Sequence, residues 1–362
     1  MSLPDKRLPG IDALKGIACV LIIWHHLAFY GPMSDVVHPV LPALTDWLYN
    51  YGRMAVQVFL VVGGFLAASS LAPAGIAASG HPGQLIFRRY RRLLKPYLVA
   101  LVVSVLVAAL VRPWFHDPSV SAQPTLFQLL AHLLLLQDVL DQEALSAGVW
   151  YVAIDFQLFA MSAMMFSMTR PLQRRWPGLS TRLVPPCIGL ALVFAGLSLF
   201  FFNRREGLDM TGLYFFGSYA LGMLAFWASK SARRGPWLLA IAALGGAALV
   251  FDFRERLAVA LVAAFVLVWL QRRVSTARPK RWLCPLEQLG KMSYSIFLIH
   301  FSVCLLVNAL VSHFWPTQLL VNALGLLAAF ALSLVAGAVL YWGVESRRTS
   351  FLGLVKALFM RQ

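Results

Sequence analysis

The chain has 362 residues, is 60% hydrophobic with a mean hydropathy of +0.73, and only 13% of its residues are charged. A soluble domain is nearer half apolar and a quarter charged, so this composition excludes the ordinary soluble classes and implies a polytopic membrane protein. The net charge of +16 would suggest a nucleic-acid partner in a soluble chain; here basic residues gathered on one side of a membrane explain it, and no nucleic acid is expected.

Near-continuous apolar stretches recur at 11–30, 54–71, 94–111, 148–168, 184–202, 212–228, 236–251, 257–270, 288–311 and 319–342. Each has about the length a helix needs to cross the hydrocarbon core. The alternating pattern of an outer-membrane barrel is absent. The stretch 125–140 is also apolar, but if it crossed, Arg170, Arg174, Arg175 and Arg182 would fall outside. It is therefore read as an interfacial or re-entrant helix. The expected fold is all-α: one bundle of about ten transmembrane helices over 1–362, multi-pass, with both termini in the cytoplasm and no appended soluble domain. In this arrangement only Arg53, Arg112, Arg204, Arg205, Arg254 and Arg256 lie outside, while all other Lys and Arg lie inside. Acidic residues run the other way, as the positive-inside rule leads one to expect.

The first apolar segment carries Lys15 and has no small-residue cleavage site, so it reads as a retained span. Cys19, Cys187 and Cys304 fall within expected spans and Cys284 near the start of another. Neither a disulfide framework nor a metal site is supported. No phosphate loop, GxSxG elbow or HExxH motif occurs.

Lys15 and His26 share the first span, eleven residues apart. On a helix they lie within about 20° of one face and roughly 16 Å apart along the axis, whereas His25 is about 80° off. A charge and an imidazole inside a span are costly and mark function. Asp155 and His300, on two other spans, fall at a similar depth to His26. They read either as an orienting partner for a base or as polar groups bonding neighbouring helices. Arg89 and Arg92, within FRRYRRLLKPY, share a face. Paired guanidiniums suit phosphate, and basic residues at that boundary also anchor topology and meet anionic lipid. Trp150 and Tyr151 open the span of Asp155, and Ser293 and Tyr294 sit in GKMSYSIFLIH with His300. These are possible substrate or supporting residues, or belt aromatics.

Five elements taken together resemble the acyltransferase family 3 membrane enzymes. IDALKGIA, with Lys15 and then His26, is similar to their LDGLRGIA and its following His. VFLVVGGFL (58–66) is similar to FFVLSGFL, and Arg89–Arg92 matches their RxxR. WYVAIDFQLF (150–159) is similar to WSLxVExQFY, with Asp155 in place of the more frequent Glu. LGKMSYSIFLIH (289–300) is similar to LGxxSYSLYLxH. The resemblance implies transfer of an acyl group, often acetyl, from cytoplasmic acyl-CoA to a hydroxyl of an extracytoplasmic sugar or glycan such as lipopolysaccharide or exopolysaccharide, in a bacterial inner membrane. It implies His26 as the catalytic histidine and Lys15, Arg89 and Arg92 as contacts to the coenzyme A phosphates; Asp155, at the acidic position, is the expected catalytic partner that could orient the imidazole or stabilise imidazolium. The competing reading is a transporter of a glycolipid or small anion, with His26 and Asp155 as a proton relay. Two parts of that reading find no support in the sequence: paired halves are absent, and no outer basic cluster balances the inner one.

Overall fold

A computed structural model of the chain describes residues 9–175, 184–273 and 284–347. Among these residues fourteen α-helices run in order: α1 (Pro9–Phe29), α2 (Pro32–Val37), α3 (Pro42–Tyr51), α4 (Val56–Leu71), α5 (Pro82–Val111), α6 (Leu126–Leu133), α7 (Val149–Met168), α8 (Arg170–Arg175), α9 (Pro186–Phe200), α10 (Gly212–Lys230), α11 (Arg234–Phe251), α12 (Glu255–Arg273), α13 (Cys284–Phe314) and α14 (Leu319–Leu340). A π-turn (Tyr341–Glu345) follows. Proline opens α2, α3, α5 and α9, where its fixed φ suits the first turn and its missing N–H costs nothing.

Among the described residues eight helical runs are long and apolar enough to cross a membrane: α1, α3 continuing into α4, α5, α7 continuing into α8, α9, α11, α13 and α14. With the 19-residue α10 and α12 they account for the ten expected spans. The protein is an all-α, multi-pass membrane protein. The main departure in length is α5, whose 30 residues begin at Pro82 rather than near 94, so the basic run 88–95 is its own early turns. Within α5, Pro96 has no N–H to offer the Arg92 carbonyl.

The 125–140 stretch is not one helix. Only Leu126–Leu133 is helical, capped by Thr125 and Gln128, and eight residues rise about 12 Å, too little to cross. The chain then turns, with Leu135 and Asp141 at positive φ. His132 binds the turn to itself, donating from Nδ1 to the Gln128 carbonyl and accepting at Nε2 from the Leu145 amide. Tyr90 of α5 donates to the Leu133 carbonyl, which ties the excursion to the bundle.

Small residues set the closest crossings, as expected where lipid tails remove any hydrophobic drive between helices. A Cβ at Gly16 of α1 would overlap the Leu286 carbonyl, and one at Gly290 of α13 would overlap that of Asp12. α1 and α13 therefore run side by side in the same direction. One offset of 274 residues recurs along them, at Cys19–Ser293 and at His26–His300. α4 and α10 cross as closely, with Gly64 against the Tyr219 carbonyl and Gly222 against that of Val61. A buried core extends from Ile11 to Leu340.

Candidate active site

The parallel pairing of α1 and α13 builds two levels. At one end Lys15 and Lys291 line a common cavity. Toward the other end the imidazoles of His26 and His300 lie parallel, ring centroids 4.8 Å apart, with His26 Nδ1 2.5 Å from His300 Nε2. Both residues are buried, His26 at 8% exposure and His300 at 0%.

The hydrogen bonds assign the tautomers of a neutral pair. His300 Nδ1 faces the carbonyls of Phe297 at 2.8 Å and Ile296 at 3.2 Å. Carbonyls only accept, so Nδ1 carries the proton and Nε2 is left as an acceptor. His26 Nδ1 must then be the donor to His300, which places the His26 lone pair on Nε2. The arrangement supplies a base whose second nitrogen is oriented by a hydrogen-bonded partner.

That partner is not the carboxylate. Asp155 accepts a 2.5 Å bond from Arg89 Nη2, in a pair whose side chains are 8% and 25% exposed. A buried carboxylate is drawn to the nearest cation, which here is a guanidinium also stacked over Phe159. Depth, and the acidic position within WYVAIDFQLF, made Asp155 a candidate for His26; the order of helices around the bundle puts α5 next to α7 and gives Asp155 to Arg89. The same geometry separates the two members of the proton relay that a transporter reading requires. Gly63 of α4 leaves the room, since a Cβ there would lie 3.2 Å from Asp155 Oδ1.

A cavity of about 190 Å³ is walled by Lys15, Arg89, Arg92 and Lys291 at its basic end and by Phe59, Tyr151 and Phe297 elsewhere. A second, of about 420 Å³, shares those four cations and reaches Asp12 and Tyr341. The cations differ in what they already hold. Lys15 is bound to Asp12 at 2.8 Å, and Arg89 to Asp155. Glu345 accepts a 2.5 Å bond from Ser295. Arg92 and Lys291 form no ion pair among the described residues.

The remaining expected residues divide by role. Tyr151, Ser293 and Tyr294 line the cavity; Tyr294 also donates to the Leu93 carbonyl, tying α13 to α5. Trp150 packs on Phe215 and lines neither cavity. His25 donates to the Leu48 carbonyl and fastens α1 to α3, as its off-face position suggests. Sequence reasoning missed Lys291: nine residues before His300 put it about 180° from that imidazole on an ideal helix, unlike Lys15 and His26, so no shared face pointed to it. Among the described residues no group of three or more His, Cys, Asp or Glu is placed to hold a metal ion.

No curated protein and no solved structure matches the chain. Residues 8–342, nearly its whole length, match the family model of acyltransferase family 3, described as an acyltransferase domain. With that match, and with Lys15, the RxxR pair Arg89 and Arg92, and Ser293 and Tyr294 lining one cavity, the chain belongs to acyltransferase family 3.

Proposed function

We propose that this membrane acyltransferase moves an acyl group, acetyl in the first instance, from cytoplasmic acyl-CoA to a hydroxyl of an extracytoplasmic sugar or glycan. The setting is a bacterial inner membrane, with the cation-lined mouth and both termini on the cytoplasmic side. One observation carries the reading: two parallel helices each present a cation near one end and an imidazole deeper along the same direction. From Lys15 to His26 the rise is roughly 16 Å, and from Lys291 to His300 about 13 Å, spans that an extended thiol arm can bridge.

Anionic phosphates settle at the basic mouth, where Arg92 and Lys291 form no ion pair among the described residues, with Lys15 beside them. Arg89, its charge matched by Asp155, shapes the cavity wall. The acceptor hydroxyl approaches His26 Nε2 and gives up its proton as its oxygen attacks the thioester carbonyl. As the tetrahedral intermediate collapses, the C–S bond breaks and the CoA sulfur takes the proton back from His26, leaving an ester and free thiol. His300, accepting from Nδ1 of His26, keeps the base in the required tautomer and stabilises the transient imidazolium.

Purified protein in nanodiscs, supplied with acetyl-CoA and a crude envelope glycan extract, tests this by free-thiol release. Glycan-stimulated release is expected in the wild type. It is expected to vanish in His26→Ala and to need more acetyl-CoA in Arg92→Ala/Lys291→Ala. Undiminished stimulated release from a well-folded His26→Ala protein would overturn the assignment of the base.

A further inference from the structure

Neither cavity is lined by His26 or His300. Three rings stand between the cations and the imidazoles: Phe59 of α4, Tyr151 of α7 and Phe297 of α13. All three pairs are in contact, with centroids 6.0 Å apart for Phe59–Tyr151, 6.1 Å for Phe59–Phe297 and 5.3 Å for Tyr151–Phe297. These are ordinary aromatic packing distances, so the triangle they make is closed. Phe297 belongs to both sides. Its ring lines the cavity and sits 5.9 Å from the ring of His300.

We propose that Phe59, Tyr151 and Phe297 form a septum that must part for an acyl group to reach the imidazole pair, and that its bulk limits the acyl groups that pass. The size-limiting part rests on the acyl-transfer reading above. The septum is braced rather than incidental. The first turn of α7 abuts Phe297 so closely that a Cβ at Gly148 would lie 2.9 Å from its carbonyl oxygen and 3.1 Å from its ring. That same carbonyl accepts the 2.8 Å bond from His300 Nδ1. One residue thus fixes the tautomer of the pair through its backbone and bars the way to it through its side chain. A closed septum also keeps water from the base when no donor is present, the task lids perform in other enzymes. An acetyl group asks the rings to move least; each added methylene asks for more in a close-packed wall.

The test has two readouts. Carbethoxylation of His26 by diethylpyrocarbonate, followed by peptide mass spectrometry on protein in nanodiscs, needs no acyl donor. It should run about threefold faster or more in Phe59→Ala and Phe297→Ala than in the wild type, because the wall is opened. Phe330→Ala serves as the control: Phe330 stacks on Trp24 at 5.1 Å, against the same helix as His26 but outside the septum. It should leave the rate unchanged. The second readout is thiol release with acetyl-CoA against hexanoyl-CoA, whose ratio should fall about tenfold toward unity in Phe59→Ala. Equal carbethoxylation in wild type and both septum variants, or an equal rise in Phe330→Ala, would overturn the septum. If no variant turns over any acyl-CoA, the functional reading fails while the carbethoxylation still decides whether the rings close the path. Should Phe297→Ala not fold, Phe297→Leu and Phe59→Ala carry the comparison.

Discussion

Asp155 offers the sharpest test of the site, because its pairing with Arg89 rather than His26 makes two readings diverge. The bond is 2.5 Å, with Asp155 8% and Arg89 25% exposed. Removing one partner of a buried pair leaves an uncompensated charge, at a cost of about 3–5 kcal/mol. Arg89 opens partly to the cavity and Asn keeps an acceptor oxygen, so Asp155→Asn should fall near the low end, about 3 kcal/mol. Arg89→Leu strands the better-buried carboxylate and should cost at least as much. Replacing both, as Arg89→Leu/Asp155→Leu, removes the charges together. The cycle, closed with Asp155→Leu, should give a coupling of about 2–3 kcal/mol. Equilibrium unfolding in mixed micelles measures each arm. Additive single costs, or an Asp155→Asn protein within about 0.5 kcal/mol of wild type as for an exposed pair, would refute the pairing. The enzymatic readout separates the roles further. If Asp155 oriented His26, Asp155→Asn would change the pH profile of turnover; the geometry predicts that the profile keeps its shape while stability falls.

Four further outcomes follow from the same contacts. His300→Phe, which keeps the ring but removes both nitrogens, should lower kcat by about 10²–10⁴-fold with little change in KM, measured by thiol release; a loss under about tenfold would remove His300 from the relay. Lys291→Met should raise KM for acyl-CoA by about tenfold while kcat holds, since it removes a cation with no partner of its own among the described residues. Gly64→Ala places a methyl on the Tyr219 carbonyl at the α4–α10 crossing and should destabilise by about 1–3 kcal/mol or abolish folded yield, checked by size-exclusion profile and melting. On the loop side, burial and the neighbouring Asp117 push the Asp35 carboxyl up. A raised acid is penalised once ionised, so Asp35→Asn should melt higher than wild type at neutral pH. The difference should vanish in acid, where Asp35 is protonated in both the folded and unfolded protein.

The helices were legible because crossing a membrane demands long apolar runs, and the bundle shows them. Their ends were less so: α5 extends twelve residues before the expected 94 because Gln84 to Lys95 are good helix formers that need no lipid. The 125–140 stretch misled because apolarity alone does not distinguish a helix from a turn hydrogen-bonded by His132. The Lys15–His26 face followed from helical geometry within one segment. Partners across segments did not: Asp155 and His300 lie at comparable depth, and only the packing of α1 on α13 through Gly16 and Gly290 decides which one His26 meets. Lys291 was hidden by its surroundings, where one more basic residue near a membrane boundary looks like an anchor.

Pairing the first span with α13 has a consequence for how the protein is made. The two imidazoles are separated by 274 residues of chain, and at ribosomal speeds that delay is on the order of tens of seconds. Throughout it, α1 sits in the bilayer with His26 and without the helix that satisfies it, whereas Lys15 has Asp12 on its own helix and His25 meets Leu48 of the early α3. A newborn chain is therefore chemically silent until its late helices insert, and a ribosome that stalls before α13 leaves no half-built base exposed to donor. It also leaves an ill-satisfied span of the kind membrane quality control recognises, which ties the completeness of the site to the survival of the chain.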